Sequence, residues 1–424
     1  MSLNDIPSGE RKHIAFFGRT NAGKSSLVNA FTGQKLSIVS EEHGTTTDPV
    51  QKAMELQPLG PVVIIDTAGM DDKGALGDLR MEKTLQVLRK TDIAVLVIDK
   101  TVGKDKSDEK LIALFREKNI PYIIAWNKAD LSPEEHASNG GQGSGDSEKP
   151  VGGEDSEKTA ASGSESNEIT VSALNGANIE ALKELAAGML KDLPQENELI
   201  GDLVSAGDKI VLVVPIDKAA PKGRLILPQQ QVIRDALDHG AIPVVCRDSE
   251  LKETLEALKE PPKMVITDSQ VFAEIDKVVS PEIPLTSFSI LMARYKGNLE
   301  PSLEGADRLK SLKDGDRVLI SEGCTHHRQC GDIGSVKLPK WIREFTGANP
   351  TIDLSSGTEF PEDLSGYDLI IHCGACMLSP TEARARYGLA RAQGVPITNY
   401  GIAIACMKGI LDRSVKSIRG RLGL

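Results

Sequence analysis

Eight residues near the amino terminus, Gly18-Arg19-Thr20-Asn21-Ala22-Gly23-Lys24-Ser25, fit the pattern G-x-x-x-x-G-K-[ST]. Glycines at both ends of such a loop let backbone N–H groups turn inward around phosphate oxygens, and a following helix adds the positive end of its dipole. Lys24 is then set for the β- and γ-phosphates and Ser25 for a Mg²⁺ ion, with Gly18, Asn21, Ala22, Gly23 and Ser26 around the same anion. A second set lies far along the chain. Cys324-Thr325-His326 and His372-Cys373-Gly374-Ala375-Cys376 read C-x-H, 45 intervening residues, then H-C-x-x-C. Four of the six cysteines fall between 324 and 376. Three thiolates from two strand ends can converge on one metal centre, and by chemistry alone iron–sulfur and zinc suit soft thiolates equally. The fourth position goes to a histidine, a weaker ligand or nothing. Cys330, separated from Cys324 by five residues, either joins the set or is a spare thiol. His13 and His327 read as solvated or packed, and Cys246 and Cys406 as core residues.

Three further segments bear on the phosphate loop. Asp66-Thr67-Ala68-Gly69 ends a β-rich run, right for a carboxylate beside Mg²⁺ and a glycine amide near the γ-phosphate. Asn127-Lys128-Ala129-Asp130 ends another, and the Asp130 carboxylate there accepts two N–H donors of guanine, a pattern adenine does not offer. Ser172-Ala173-Leu174 follows the next run, where Ser172 and Ala173 reach the base. This order and spacing resembles the small GTPase superfamily, with GTP as ligand and Lys24, Thr46, Asp66 and Gly69 as the catalytic set. Gly44-Thr45-Thr46-Thr47-Asp48 resembles the first switch of Era- and TrmE-like GTPases, with Thr46 as a second Mg²⁺ ligand. Met70 stands where Ras-like proteins carry a water-orienting Gln, and a thioether cannot orient water by hydrogen bonding. In TrmE-like GTPases an Asn at the place of Asn21 helps hold K⁺ against the phosphates. The resemblance therefore implies a K⁺ ion here, in place of a merely structural loop Asn.

The elements that must position these groups alternate between the 2.0- and 3.6-residue periods. HIAFF (13–17), VVIID (62–66), IAVLVID (93–99), YIIAWN (122–127) and ITVSA (169–173) read as buried strands separated by helical stretches, the rhythm of a parallel sheet with crossover helices. Residues 137–168 break it: seven Gly, seven Ser and seven acidic residues against two Lys form a flexible acidic insertion. KIVLVVPI (209–216), IPVVC (242–246) and KMVITD (263–268) belong to a second α/β unit, and RVLIS (317–321), YDLIIHC (367–373) and VPITNY (395–400) to a third. Each cysteine group falls just past the carboxyl end of a strand, where open α/β sheets place their sites. The expected domains are 1–195, 200–270 and 271–424.

The whole chain has 424 residues, 61 acidic and 50 basic, with 40% hydrophobic residues, which excludes a disordered, collagenous or disulfide-stapled class. Net charge −11 argues against nucleic acid as the main partner, and 8 Phe, 5 Tyr and 2 Trp offer no stacking platform for it. No apolar run approaches membrane-spanning length and no secretory signal opens the chain, so a cytoplasmic protein is expected.

A GTPase unit, a small middle unit and a C-x-H … H-C-x-x-C unit together resemble the HydF family, the maturation GTPases of iron-only hydrogenases. The segment PIDKAAPKGRLILPQQQVIRDAL (215–237) also resembles that family. The resemblance implies an α/β architecture: a P-loop GTPase domain with a parallel sheet, a small α/β dimerisation domain and an α/β iron–sulfur cluster domain. It implies a homodimer and a 4Fe-4S cluster on Cys324, Cys373 and Cys376, with His326 and His372 as motif histidines at the metal. It also implies a carrier role, in which a diiron precursor built with two radical-SAM maturases passes to apo-hydrogenase. The alternative is a zinc-binding Era/TrmE-like GTPase of RNA modification or ribosome assembly.

Overall fold

The computed structural model describes residues 8–33, 49–69, 75–131, 167–193, 197–216, 225–323, 332–357 and 359–419. The switch residues 44–48 with Thr46, Met70, the acidic insertion up to 166, and Cys324, His326, His327 and Cys330 lie outside the described residues. Two compact units form: His13–Asp192, and Leu193–Leu424 together with Met1–Lys12.

The first unit is built on six strands, β1 (Lys12–Phe17), β2 (Val50–Leu56), β3 (Gly60–Asp66), β4 (Ile93–Asp99), β5 (Tyr122–Asn127) and β6 (Glu168–Thr170), in the order β2-β3-β1-β4-β5-β6. All seven positions of β4 are buried, which is why its sequence reads as a continuous apolar run: a central parallel strand is covered on both faces. The β1–β4, β4–β5 and β5–β6 pairs are parallel. Strand β2 departs from the expected all-parallel sheet, running antiparallel to β3 through a tight turn at Gly60 (φ 89°). Its mixed VQKAMEL sequence is that of a half-exposed edge. Strand β6 is shorter than its sequence pattern and begins at Glu168, the last residue of the acidic segment. Its carboxylate accepts a 2.9 Å hydrogen bond from Trp126 Nε1 and pairs with Lys104 at 3.1 Å, and these contacts tie it to the sheet.

The second unit carries two four-stranded sheets. One holds β7 (Lys209–Val213), β8 (Ile242–Cys246), β9 (Met264–Thr267) and β10 (Leu285–Ser287) in the order β10-β9-β7-β8. The other holds β11 (Arg317–Glu322), β12 (Thr351–Ser356), β13 (Leu369–His372) and β14 (Ile397–Asn399) in the order β12-β11-β13-β14. Their strands pair in parallel. Strand β10 lies beyond the expected limit at residue 270 yet completes the first of these sheets. Three residues are too short a run to show a period. One hydrophobic core joins the two sheets, drawing Val211 and Val265 from one, Ile320 and Ile371 from the other, and Leu291 and Ile404 from helices between them. The middle and carboxyl-terminal parts thus bury their apolar faces against each other, an economical answer to the small core a 70-residue unit could build alone. Among the described residues no helix is long and apolar enough to cross a membrane.

Candidate functional site

The phosphate loop runs from the end of β1 into the helix Lys24–Thr32. Its bends occupy conformations that favour glycine or asparagine: Gly18 has φ 143°, Asn21 61° and Gly23 87°. A Cβ at Gly18 would stand 2.3 Å from the Val97 carbonyl oxygen of β4 and one at Gly23 2.4 Å from the Asn127 side-chain amide, so a strand backbone and a hydrogen-bonded side chain occupy the space another residue would need. Lys24 is buried, and its Nζ donates to the carbonyls of Gly18 (3.0 Å) and Arg19 (2.7 Å). The ammonium is thereby held inside the loop it is expected to serve. Asp66 is buried at the end of β3, and Thr67 Oγ1 donates to the Phe16 carbonyl at 2.7 Å, locking that strand end beside β1. Gly69 crosses the loop so closely that a Cβ would meet Thr20 Oγ1 at 2.3 Å. Lys24, Asp66 and Gly69 therefore come together around one loop; Thr46 is outside the described residues.

The base-reading residues also assemble. Asn127 Nδ2 donates to the Ala22 carbonyl (3.0 Å), and its Oδ1 accepts from the Ala173 N–H (3.1 Å). One buried amide thus ties the phosphate loop to the segment after β6. Ser172 Oγ donates to Asp130 Oδ1 at 2.5 Å, holding the carboxylate that guanine would meet. Lys128 takes φ 64° and its Nζ pairs with Asp99 at 2.6 Å. Burial tends to raise the Asp99 carboxyl pKa, but hydrogen bonds from Lys128 and Thr101 outweigh it and hold the group below its usual range. Sequence reasoning missed Arg19. Its guanidinium reaches Asp105 (3.3 Å) and the fully buried Asp108 (3.2 Å), the capping-box pair of the helix Lys106–Glu117, and so braces the phosphate loop from outside.

The cysteine loop lies in the other unit. Strands β11 and β13 are parallel neighbours with Ser321 opposite His372, and the Cys373 N–H extends the ladder to the Ser321 carbonyl at 2.8 Å. The residues that follow the two strands are therefore side by side. Gly323, which precedes Cys324 in sequence, donates its N–H to Cys373 Sγ at 3.0 Å, and the Ala375 N–H points at the same sulfur from 3.4 Å. Two backbone N–H groups thus face one sulfur at this end of the sheet, a donor arrangement that fits a sulfur-held metal centre. Cys376 follows within a turn closed by the Leu378 N–H and the Ala375 carbonyl (3.1 Å). Burial pushes the Cys376 thiol pKa up, and the nearby Lys296 ammonium pulls it back. Among the described residues no three His, Cys, Asp or Glu side chains gather as a metal site, and Cys324 is not one of those residues.

His372, the motif histidine at the end of β13, is buried. Its ring is 1% exposed, Nδ1 contacts the Cys373 carbonyl at 2.9 Å, and Nε2 faces Arg386 at 3.3 Å. Both ring nitrogens are engaged inside the protein. Burial first, and then the Arg386 charge, lower its pKa to about 3, so the ring is neutral and acts as a brace for the strand end. Pattern reading could not separate a ligand from a brace, because Arg386 lies fourteen residues away on the helix Pro380–Ala392. Cys246 and Cys406 are buried, as expected of core residues.

Comparison with known families divides the chain the same way. Residues 13–128 match the family model described as 50S ribosome-binding GTPase. Residues 199–297 match the hydrogen maturase F dimerization domain and residues 300–417 the hydrogen maturase F tetramerization domain. The chain belongs to the hydrogen maturase F family. Its amino-terminal unit is a GTPase domain, and its remaining residues carry the family's two assembly domains. The two matches meet near residue 298, and β10 lies inside the first of them. Among curated proteins the chain is similar to GTPase Der of Kosmotoga olearia, 38% identical over 128 residues, 29% of each chain. It is also similar to the tRNA modification GTPase MnmE of a Janthinobacterium species, 36% identical over 124 residues, 28% of this chain and 26% of that one. The chain thus spans less than a third of the length of these relatives, and the likeness is confined to the GTPase domain. Among solved structures, Era of Aquifex aeolicus bound to GDP·AlF4⁻ is 20% identical, with a TM-score of 0.33 over 55% of this chain and 92% of that one.

Proposed function

We propose that this protein is a GTP-hydrolysing scaffold that holds a 4Fe-4S cluster and delivers a diiron precursor to apo iron-only hydrogenase. The observation that carries this reading is the 3.0 Å bond from the Gly323 N–H to Cys373 Sγ, in a chain of the hydrogen maturase F family. It sets the residue that precedes Cys324 against Cys373, at the carboxyl ends of two neighbouring strands. Cys324, Cys373 and Cys376 are assigned as cluster ligands, with His326 as a motif histidine of the same site and the fourth position left exchangeable; His372 is assigned as their brace. A site with three thiolates leaves one iron position exchangeable, which is what a carrier of a second iron unit requires. In the GTPase domain Ser25 and Thr46 are assigned to Mg²⁺, Asp66 to its surroundings, Lys24 and the loop amides to the phosphates, and Asp130 to guanine. The γ-phosphate would order the switch residues, and hydrolysis would release them and change partner affinity. We assign the protein to the cytoplasm, as a homodimer or dimer of dimers, with two radical-SAM maturases and the apo-hydrogenase as partners.

The test is activation of purified apo-hydrogenase by this protein expressed with and without the two maturases. Activation only after co-expression is expected; none in either case refutes the carrier role. The GTPase domain offers a separate check. Asn21 sits at φ 61° inside the phosphate loop, where a K⁺ ion would add positive charge beside the phosphates. Turnover in KCl should exceed that in NaCl by on the order of tenfold, the scale of one added electrostatic stabiliser. Equal rates in the two salts would remove K⁺ from the mechanism and leave Asn21 a loop residue.

A further inference from the structure

Lys296 is the C-cap of the helix Phe288–Tyr295 and is 2% exposed, one of the largest fully buried side chains in the molecule. Removing an ammonium from water costs several kcal/mol unless charge and hydrogen bonds compensate it. Its Nζ donates to the carbonyl of Ala375 at 2.7 Å and to the carbonyl of Leu378. These are the first and last residues of the turn Ala375-Cys376-Met377-Leu378, whose own closing bond runs from the Leu378 N–H to the same Ala375 oxygen. A single ammonium therefore grips both ends of the turn that contains Cys376. Ala375 stands at φ 54°, a left-handed conformation that costs a non-glycine residue about 1 kcal/mol or more and persists only where surrounding contacts impose it. The contact on its carbonyl is such a constraint. Lys296 also borders the same small cleft as Cys373, Gly374, Asn298 and Tyr387. It lies at the end of the dimerization-domain match, whereas the cysteines lie in the tetramerization-domain match.

We propose that Lys296 is the positioning residue of the cysteine site: reaching from the dimerization domain, it clamps the Cys376 turn and fixes a buried positive charge against the metal-bound thiolates. Its charge half rests on the cluster reading above; its clamp half does not. A cubane held by thiolates becomes more negative on reduction, and a fixed cation nearby favours the reduced state. The two halves therefore have separate signatures.

The experiment uses the full chain, purified anaerobically, as wild type, Lys296→Met, Lys296→Gln and Lys296→Arg. Hydrogen–deuterium exchange of the peptide containing residues 375–378 is measured before iron is added. The cluster is then rebuilt with ferrous iron and sulfide, and its midpoint potential is measured. In Lys296→Met the Leu378 amide should exchange about tenfold faster, the scale of losing one supporting hydrogen bond, and the rebuilt cluster should titrate at a more negative potential. Lys296→Arg should restore both. Lys296→Gln, uncharged and one atom too short to reach both carbonyls, should lose part of the protection and show the negative shift, and it serves as the test protein if Lys296→Met does not fold. Wild-type exchange in the uncharged variants overturns the clamp, and a wild-type potential overturns the charge. A wild type that takes up no cluster refutes the cluster reading, while the exchange data still decide the clamp.

Discussion

GTP turnover should fall by roughly 10²–10³-fold in Lys24→Ala, the range for losing one preorganised cation at a developing phosphate charge. The expectation follows from where the side chain is. Lys24 begins the helix Lys24–Thr32, is 7% exposed, and spends its hydrogen bonds on the Gly18 and Arg19 carbonyls within the phosphate loop. Nucleotide would meet an ammonium already confined to the loop's interior, so little ordering remains to be done on binding. Alanine is the best helix former, and the loop's bends depend on Gly18, Asn21 and Gly23. The variant should therefore melt close to wild type. Phosphate release under saturating GTP measures the effect, and turnover within about threefold of wild type would remove Lys24 from transition-state stabilisation. On the scaffold reading the same variant should still take up the iron precursor yet fail to activate hydrogenase, because switching and not cargo binding is lost. A variant that no longer takes up the precursor would count against that separation.

What could be read in the residue string is what local backbone geometry demands. The phosphate loop was legible because its glycines and Asn21 stand at φ values few other residues accept. Strands β1, β3, β4 and β5 were legible because central parallel strands bury both faces and read as apolar runs. The cysteine loop was legible as a spacing, and its position past a strand end followed from the pattern before it. What escaped depends on partners distant in the chain. Strand β10 gains its identity from β9, some twenty residues earlier, through three residues with no period of their own. Arg19 braces its loop through Asp105 and Asp108, more than eighty residues on. Lys296 acts on carbonyls about eighty residues away, and a backbone acceptor leaves no trace in residue type. His372 shows the same limit most clearly, since an imidazole beside two cysteines has one spelling whether it binds a metal or an arginine.

Arg386 is where that limit has its largest energetic consequence. It is 1% exposed, and its guanidinium is shared among four groups: Glu382 Oε1 at 2.8 Å, the Gly357 carbonyl at 2.7 Å, His372 Nε2 at 3.3 Å and the Phe360 ring at 5.2 Å. The helix Pro380–Ala392 is thereby fastened to the end of β13, next to Cys373. Replacing Arg386 by Met keeps most of the volume but leaves the largely buried Glu382 carboxylate and a strand-end carbonyl without their partner. Breaking a buried ion pair from one side typically costs about 3–5 kcal/mol. At about 2–4 °C per kcal/mol for a unit of this size, the melting transition of the Leu193–Leu424 unit should fall by roughly 10 °C. The His13–Asp192 unit should melt unchanged, so scanning calorimetry with and without GTP, which stabilises only that unit, assigns the transitions. The decisive comparison is the double variant Arg386→Met/Glu382→Gln. If the loss arises from a stranded charge, removing the charge recovers part of it and the double variant melts above Arg386→Met. A double variant that melts at or below the single one would show that Arg386 acts by packing alone, and the electrostatic account of how β13 presents its cysteines would fall with it.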